Sequence, residues 1–286
     1  MASMVAKASN DSAVIERIKE AGLLGIELDA SMFTLACANM IFRGDGKANM
    51  FWDDCLSPRE IETERRIAEL KPNVALLNPP FSKKVKGKHE LAFVKRALDL
   101  LQPNGTGIVI VPISALIDDG PTTVLAKKEI LDQHTLRAVM SMPPQLFPGI
   151  GTVTATAVFE AHKPHHRAVN KPGEPERLIP RTETWFGYWR DDGFALKKNK
   201  RVERRPGLWA ETKSRWLDAF FNQRVVPGQS CKVPVSQFDE WIAEAYLEPD
   251  YSQLTQADYE VDVKRYMLFN LMLEAQAGLD GGDDNC

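Results

Sequence analysis

The chain has 286 residues, 44% of them hydrophobic and 26% charged, the composition of a globular protein with enough apolar mass for a sizeable core. This excludes collagen, a disulfide-stapled miniprotein and a largely disordered chain. Lys and Arg number 36 against 39 Asp and Glu, a formal charge of −3, so any contact with nucleic acid has to come from a local basic patch.

In chain order, residues 11–21 carry a helical spacing of apolar and charged positions, with Asp11 or Ser12 as N-cap. Leu23-Leu24-Gly25-Ile26-Glu27-Leu28 predicts a short buried strand, residues 30–42 an apolar helix, and Ala48 to Trp52 another strand stopped by Asp53-Asp54. Val74-Ala75-Leu76-Leu77 is a third apolar strand, broken by Asn78-Pro79-Pro80. An amphipathic helix over 89–101 ends at Pro103-Asn104-Gly105. Ile108-Val109-Ile110-Val111 is uniformly apolar, as a strand covered on both faces should be. A helix near 123–131, a strand over 136–140 and a Thr-rich strand from Val153 to Phe159 follow, the last antiparallel to its neighbour.

This alternation predicts a doubly wound α/β sheet whose ligands sit at the carboxyl ends of its strands. Glu27, Asp54 and Asn78 all fall at such ends. The composition changes at about residue 163. His162 to Pro180 is rich in Pro, Lys, Arg and His, and the segment 184–250 holds five of the six tryptophans. A final amphipathic helix is expected over 256–277. The predicted division is therefore a domain over 1–162, a linker or exposed loop over 163–183, a mainly helical extension over 184–277 and a disordered acidic tail over 278–286.

The four cysteines are scattered, with no CxxC pair and no His at ligand spacing, so reduced thiols and no metal site are expected. No apolar run reaches the roughly 18–20 residues that span a bilayer. Met1-Ala2-Ser3-Met4 lacks the features of a signal peptide. A cytoplasmic location without membrane contact is expected.

Asn78-Pro79-Pro80-Phe81 is the strongest chemical signal. A side-chain amide on a rigid turn offers one acceptor and the Pro79 carbonyl a second, and together they can hold an exocyclic NH2 through both hydrogens. Phe81 adds a face for a planar ring. The same residues also suit a Pro-rich turn that merely ends a strand. Glu27 alone could be a solvated strand-end charge, and Asp53 or Asp54 a helix N-cap. Lys83, Lys84, Lys86 and Lys88 follow the turn as a basic run, for which contact with a nucleic-acid backbone is the better reading. Lys197, Lys198, Lys200, Arg201, Arg204 and Arg205 form a second run, which fits a solvated loop better.

Asn-Pro-Pro-Phe is similar to the (D/N)-P-P-(Y/F) motif of amino-methyltransferases, in the form typical of N6-adenine DNA methyltransferases. Gly25-Ile26-Glu27, Asp54-Cys55-Leu56, Leu136 to Pro148 with its Met-Pro-Pro-x-x-Phe turn, Asp192-Gly193-Phe194 and Asp250-Tyr251-Ser252-x-Leu254 extend the likeness over nearly the whole chain. The chain resembles the modification subunit of type I restriction-modification systems. It lacks that family's glycine-rich cofactor loop and first strand, as a carboxyl-terminal portion would. The resemblance implies a Rossmann-like S-adenosylmethionine-dependent methyltransferase sheet without its first strand, leaving the Glu27 strand and the Val74–Leu77 strand facing an open slot. It implies Glu27 on the ribose of S-adenosylmethionine, Asp54 on its adenine, and Asn78, Pro79, Pro80 and Phe81 around a flipped adenine of double-stranded DNA. It also implies partner subunits for DNA specificity and for restriction. Two other readings stay open: a methyltransferase acting on RNA or protein glutamine, and a truncated, non-catalytic binding module.

Overall fold

A computed structural model describes residues 11–42, 49–57, 61–81, 89–147, 151–169, 177–198, 200–248 and 255–280, with the backbone path alone for 177 and 273–280. The chain divides into two compact units, one ending at Leu247 and the other starting at Glu248.

The first unit opens with α1 (Ser12–Ala21). Asp11 caps it, its Oδ1 accepting from the N–H groups of Ala13 and Val14 at 3.0 and 3.1 Å. Next come β1 (Gly25–Glu27), α2 (Ala30–Phe42), β2 (Met50–Trp52), α3 (Ile61–Leu70) and β3 (Val74–Leu77). The chain continues through α4 (Glu90–Asp99), β4 (Thr106–Pro112), the short α5 (Ser114–Ile117), α6 (Pro121–Gln133), β5 (Thr135–Ser141) and β6 (Thr154–Glu160). The strand-helix alternation predicted from the sequence is present, with ends shifted by a few residues and with α3 as a helix that the sequence reading did not include.

The central sheet has six strands in the order β12-β9-β5-β6-β4-β3, where β9 is Thr184–Tyr188 and β12 is Ser230–Val233. β3 runs parallel to β4, and β9 parallel to β5. The Thr-rich strand β6 lies antiparallel between β4 and β5. Two reversals through β6 leave β3, β4, β5 and β9 pointing the same way, so their carboxyl ends share one edge. β1 and β2 form a separate parallel pair. Among the described residues β1 has no ladder partner besides β2, and β3 none besides β4.

β3 is the edge strand of the six-stranded sheet. Its four residues are all apolar, as a strand covered on both faces requires. Ala75 and Leu77 join the core, while Val74 and Leu76 are 52% and 77% exposed. On the covered face, α4 and α6 lay Leu91, Val94, Leu98, Ile130 and Leu131 over Val109, Ala157 and Phe159. Each fully buried Leu of this kind contributes about 1.5–3 kcal/mol. Trp185 packs on the opposite face with Ala138, Met140 and Val158, closed over by Phe220 of α7 (Leu208–Phe221).

Beyond residue 163 the chain is more structured than its composition suggests. β7 (His166–Val169) and β8 (Arg177–Pro180) pair as an antiparallel hairpin, as do β10 (Phe194–Lys197) and β11 (Lys200–Glu203). The second unit contains α8 (Gln256–Asp280), three residues longer than expected; the rest of the predicted disordered tail lies outside the described residues. On α8, Tyr266, Met267, Leu268 and Phe269 are each more than half exposed, so its apolar surface runs round the helix. Among the described residues no helix is long and apolar enough to cross a membrane, and no cluster of His, Cys, Asp and Glu could hold a metal ion.

Candidate functional site

Glu27 ends β1 and Asp54 lies two residues past β2. The strands are in register through Glu27 and Trp52, and the Asp53 N–H donates to the Glu27 carbonyl at 3.1 Å. Both acids therefore stand at one strand edge. The half-buried Glu27 carboxylate takes the Asp29 N–H at 2.8 Å, which folds the chain back at the strand end. The two aspartates divide their work. Asp53 is buried, accepting from the Thr63 hydroxyl at 2.9 Å and from the Asp54 N–H at 2.8 Å. Asp54 is half-buried, and its Oδ1 takes the Leu56 N–H at 2.9 Å, setting the turn that follows.

Asn78 directly follows β3, on the edge shared with the carboxyl ends of β4 and β5. Pro79 is buried and fixes the turn; Asn78 and Pro80 are exposed. Among the described residues the Asn78 side chain makes no hydrogen bond, so its amide is presented to solvent rather than used by the fold. Arg96 of α4 ties the two halves together. Its Nε donates to the Cys55 carbonyl at 2.9 Å, and its guanidinium pairs with Glu64 of α3. Lys83, Lys84, Lys86 and Lys88 lie outside the described residues.

Sequence reasoning gave Phe147 no role of its own. Its ring meets Phe81 edge to face, with centroids 5.8 Å apart and planes at 79°. Phe147 ends the Met142–Phe147 turn that leaves β5, so two aromatic rings from two strand ends converge beside Asn78. That turn is pinned from behind. Arg190 donates to the Met142 carbonyl at 3.1 Å and to Glu244 at 2.7 Å, and Ser141 donates to the other Glu244 oxygen. The Met-Pro-Pro-x-x-Phe pattern signalled the turn. The pairing with Phe81 needs the sheet order and is not visible in the sequence.

A second missed group borders the turn. His89 caps α4 by accepting the Leu91 N–H at 3.1 Å, and its Nε2 lies 3.0 Å from the Thr123 hydroxyl, which in turn donates to Asp118. His89 therefore fixes the point where the chain returns after the Asn78 turn.

This combination of a mixed sheet, acids at two adjacent strand ends and Asn-Pro-Pro-Phe at a third defines an amino-methyltransferase class. The N-6 DNA Methylase family matches residues 2–268, and the chain belongs to that family. The type II restriction enzyme and methyltransferase RM.BcgI of Heyndrickxia coagulans is 34% identical over 206 residues, covering 70% of this chain and 29% of that protein. A type I restriction-modification methyltransferase subunit from Streptococcus thermophilus superposes with a TM-score of 0.57 at 17% identity, over 79% of this chain and 48% of its own. A structure of a type I restriction-modification complex gives 0.58 at 18% identity, over 97% and 58%. The chain thus spans less than a third of the curated relative and about half of the solved ones. The solved structures carry the fold alone.

Proposed function

We propose that the protein transfers a methyl group from S-adenosylmethionine to adenine N6 in double-stranded DNA, as the modification subunit of a type I restriction-modification system. The observation that carries this is the uncommitted Asn78 amide at a shared strand edge, backed by rigid Pro79 and flanked by Phe81 and Phe147. Two acceptors at Asn78 and Pro79 draw both amine hydrogens into one plane, which turns the nitrogen lone pair toward the methyl donor. Phe81 gives the flipped adenine a face, and Phe147 holds that face in place.

The residues fit the nucleoside half of the cofactor. Glu27 offers a carboxylate for two ribose hydroxyls, and Asp54 an acceptor for the adenine amine. The cofactor, when bound, supplies the electrophilic methyl group. The protein's part is positioning and the exclusion of competing geometries. In this reading residues 1–162 hold the catalytic groups, while 184–277 meet partner subunits and DNA. Lys83, Lys84, Lys86 and Lys88 supply cations for the DNA backbone, and a separate specificity subunit reads the sequence, with a restriction subunit joining the complex.

Asn78→Ala in the complete system tests it. Loss of one preorganised polar group at a reacting centre costs about 10²–10³ in rate, so incorporation of labelled methyl into duplex DNA should fall by at least that, with cofactor affinity within about threefold of wild type. Unchanged methylation would refute the role of Asn78, and methylation of RNA or protein in place of DNA would refute the substrate.

A further inference from the structure

The six cations of the run 197–205 look alike in the sequence but not in the structure. Arg201 pairs with the buried Asp192 and lies over the Phe194 ring at 5.2 Å. Arg204 donates to both oxygens of Asp191 at 2.6 and 2.7 Å, and Arg205 grips Glu211 at 2.9 and 2.5 Å. These three arginines are committed to the base of the β10–β11 hairpin. Lys197, Lys198 and Lys200, at its tip, are exposed, and among the described residues none has an ion-pair partner. Lys197 and Lys200 stand directly opposite each other in the ladder, with Lys198 beside them in a left-handed conformation at φ 47°. Like charges facing across an antiparallel pair destabilise it, so the hairpin holds three cations together against their repulsion, a repulsion that a polyanion would relieve.

The base of this hairpin is rigid. Phe194 meets Trp209 of α7 at 6.1 Å, the Arg204 N–H donates to the Gly193 carbonyl at 2.8 Å, and Glu203 accepts the Trp209 N–H at 2.5 Å. Its location follows from the sheet. The chain enters it from the carboxyl end of β9, where the Trp189 N–H donates to the Ser141 carbonyl at 2.9 Å and Arg190 reaches the Met142 carbonyl. That is the root of the turn carrying Phe147 to Phe81. The hairpin thus rises from the same sheet edge as Asn78. At about 3.4 Å per residue, the three steps along each strand place the lysines roughly 10 Å beyond their base.

We propose that the Lys197, Lys198 and Lys200 tip is a phosphate-contacting finger that grips the backbone of duplex DNA flanking the base held at Asn78. This rests on the DNA reading above. The protein is weakly acidic overall, so a finger of uncompensated cations is the kind of local patch that such binding requires. The contact is to phosphate and carries no sequence preference.

The test is duplex DNA affinity of the full-length protein against KCl concentration, followed by fluorescence anisotropy of a labelled oligonucleotide. Three lysines on three phosphates contribute about 0.9 each to the slope of log K against log salt. The K197Q/K198Q/K200Q variant should lose up to about 2.7 from that slope and bind at least about tenfold more weakly at low salt, whatever the sequence. The K197R/K198R/K200R variant, with the charge retained, should keep both. An unchanged slope and affinity in the glutamine variant, with wild type binding DNA, would overturn the finger and leave the reading of Asn78 untouched. So would a glutamine variant that binds DNA normally but loses a protein partner. A wild-type protein that binds no duplex would overturn the DNA reading itself and the finger with it.

Discussion

Gly187 sits in β9 between Met140 of β5 and Ser230 of β12, beneath the indole of Trp185. A Cβ built there would lie 2.5 Å from Trp185 Cη2, 2.6 Å from Cζ3 and 3.2 Å from Trp189 Nε1. Ordinary contact is about 3.5–4.0 Å, so Gly187→Ala drives the ring away by about 1 Å. The ring has little room to yield. Trp185 is fully buried, its Nε1 donates to the Arg224 carbonyl at 2.8 Å, and Phe220 closes one side at 5.8 Å. Overpacking of this kind costs about 1–3 kcal/mol, and loss of the indole hydrogen bond adds about 0.5–1.5. The expected destabilisation is about 2–4 kcal/mol, a large share of the roughly 5–15 that holds a domain together. Urea denaturation followed by tryptophan fluorescence and circular dichroism measures it. With an m value near 2 kcal/mol/M, the midpoint falls by about 1–2 M. A smaller ring relieves the clash, so Trp185→Phe combined with Gly187→Ala should cost at least about 1 kcal/mol less than the sum of the two single changes. A Gly187→Ala protein within about 0.5 kcal/mol of wild type, or strict additivity in the pair, would refute the reasoning.

Glu27→Gln and Asp54→Asn each weaken charge-assisted hydrogen bonds worth about 1.5–3 kcal/mol, so cofactor affinity measured by calorimetry should drop about 10- to 100-fold in each; an unchanged Kd in either variant removes that residue from the cofactor site. His165 is fully buried, and burial, assisted by His166 and opposed by the Val235 carbonyl, pushes its pKa down to about 4 from 6.5. Above pH 6.5 both folded and unfolded forms are neutral there. As pH falls towards 4 only the unfolded chain takes up the proton, so stability is lost across that window. Between pH 7.5 and pH 5 wild type should lose about 2 kcal/mol more than His165→Leu, judged by urea midpoints; parallel pH profiles for the two proteins would count against the assignment.

The half of the fold that obeys local rules was legible in the sequence. Asp11 announces α1, the Val74–Leu77 run stops at Asn78-Pro79-Pro80, and Pro103-Asn104-Gly105 closes α4 with Asn104 at φ 63°. Local chemistry dictates each of these. The elements that sequence did not reveal depend on distant partners. β9, Thr-Trp-Phe-Gly-Tyr, alternates nothing because neighbours bury both its faces. His165 lies in a stretch whose Pro, Lys and Arg content suggests exposure, yet the Leu131 carbonyl and the Arg181 N–H hold its backbone inside. At the site, the acids and the amide could be picked out one by one because strand ends are where ligands bind. The place of Phe147 beside Phe81 depends on β6 lying between β4 and β5, a long-range pairing that no local pattern encodes. The split of the basic run into committed arginines and uncommitted lysines depends on Asp191, Asp192 and Glu211, and composition says nothing of it.

The division of the sheet also sets a hierarchy of local stability. β1 and β2 are three residues each, α1 buries no residue fully, and α2 buries only Cys37. A two-stranded sheet is marginal in water, so the part that carries Glu27 and Asp54 opens at a lower free energy than the six-stranded part that carries Asn78. Amide exchange in β1 and β2 should therefore outrun exchange in β4 and β6. A ligand held at both edges consolidates the weaker part as it binds, and some of its binding energy goes into order rather than contact. Measured affinity for such a ligand reports the folding of α1, β1, α2 and β2 together with its recognition. A substitution in α1 or α2, touching no ligand, then changes affinity through the local stability of the β1–β2 part.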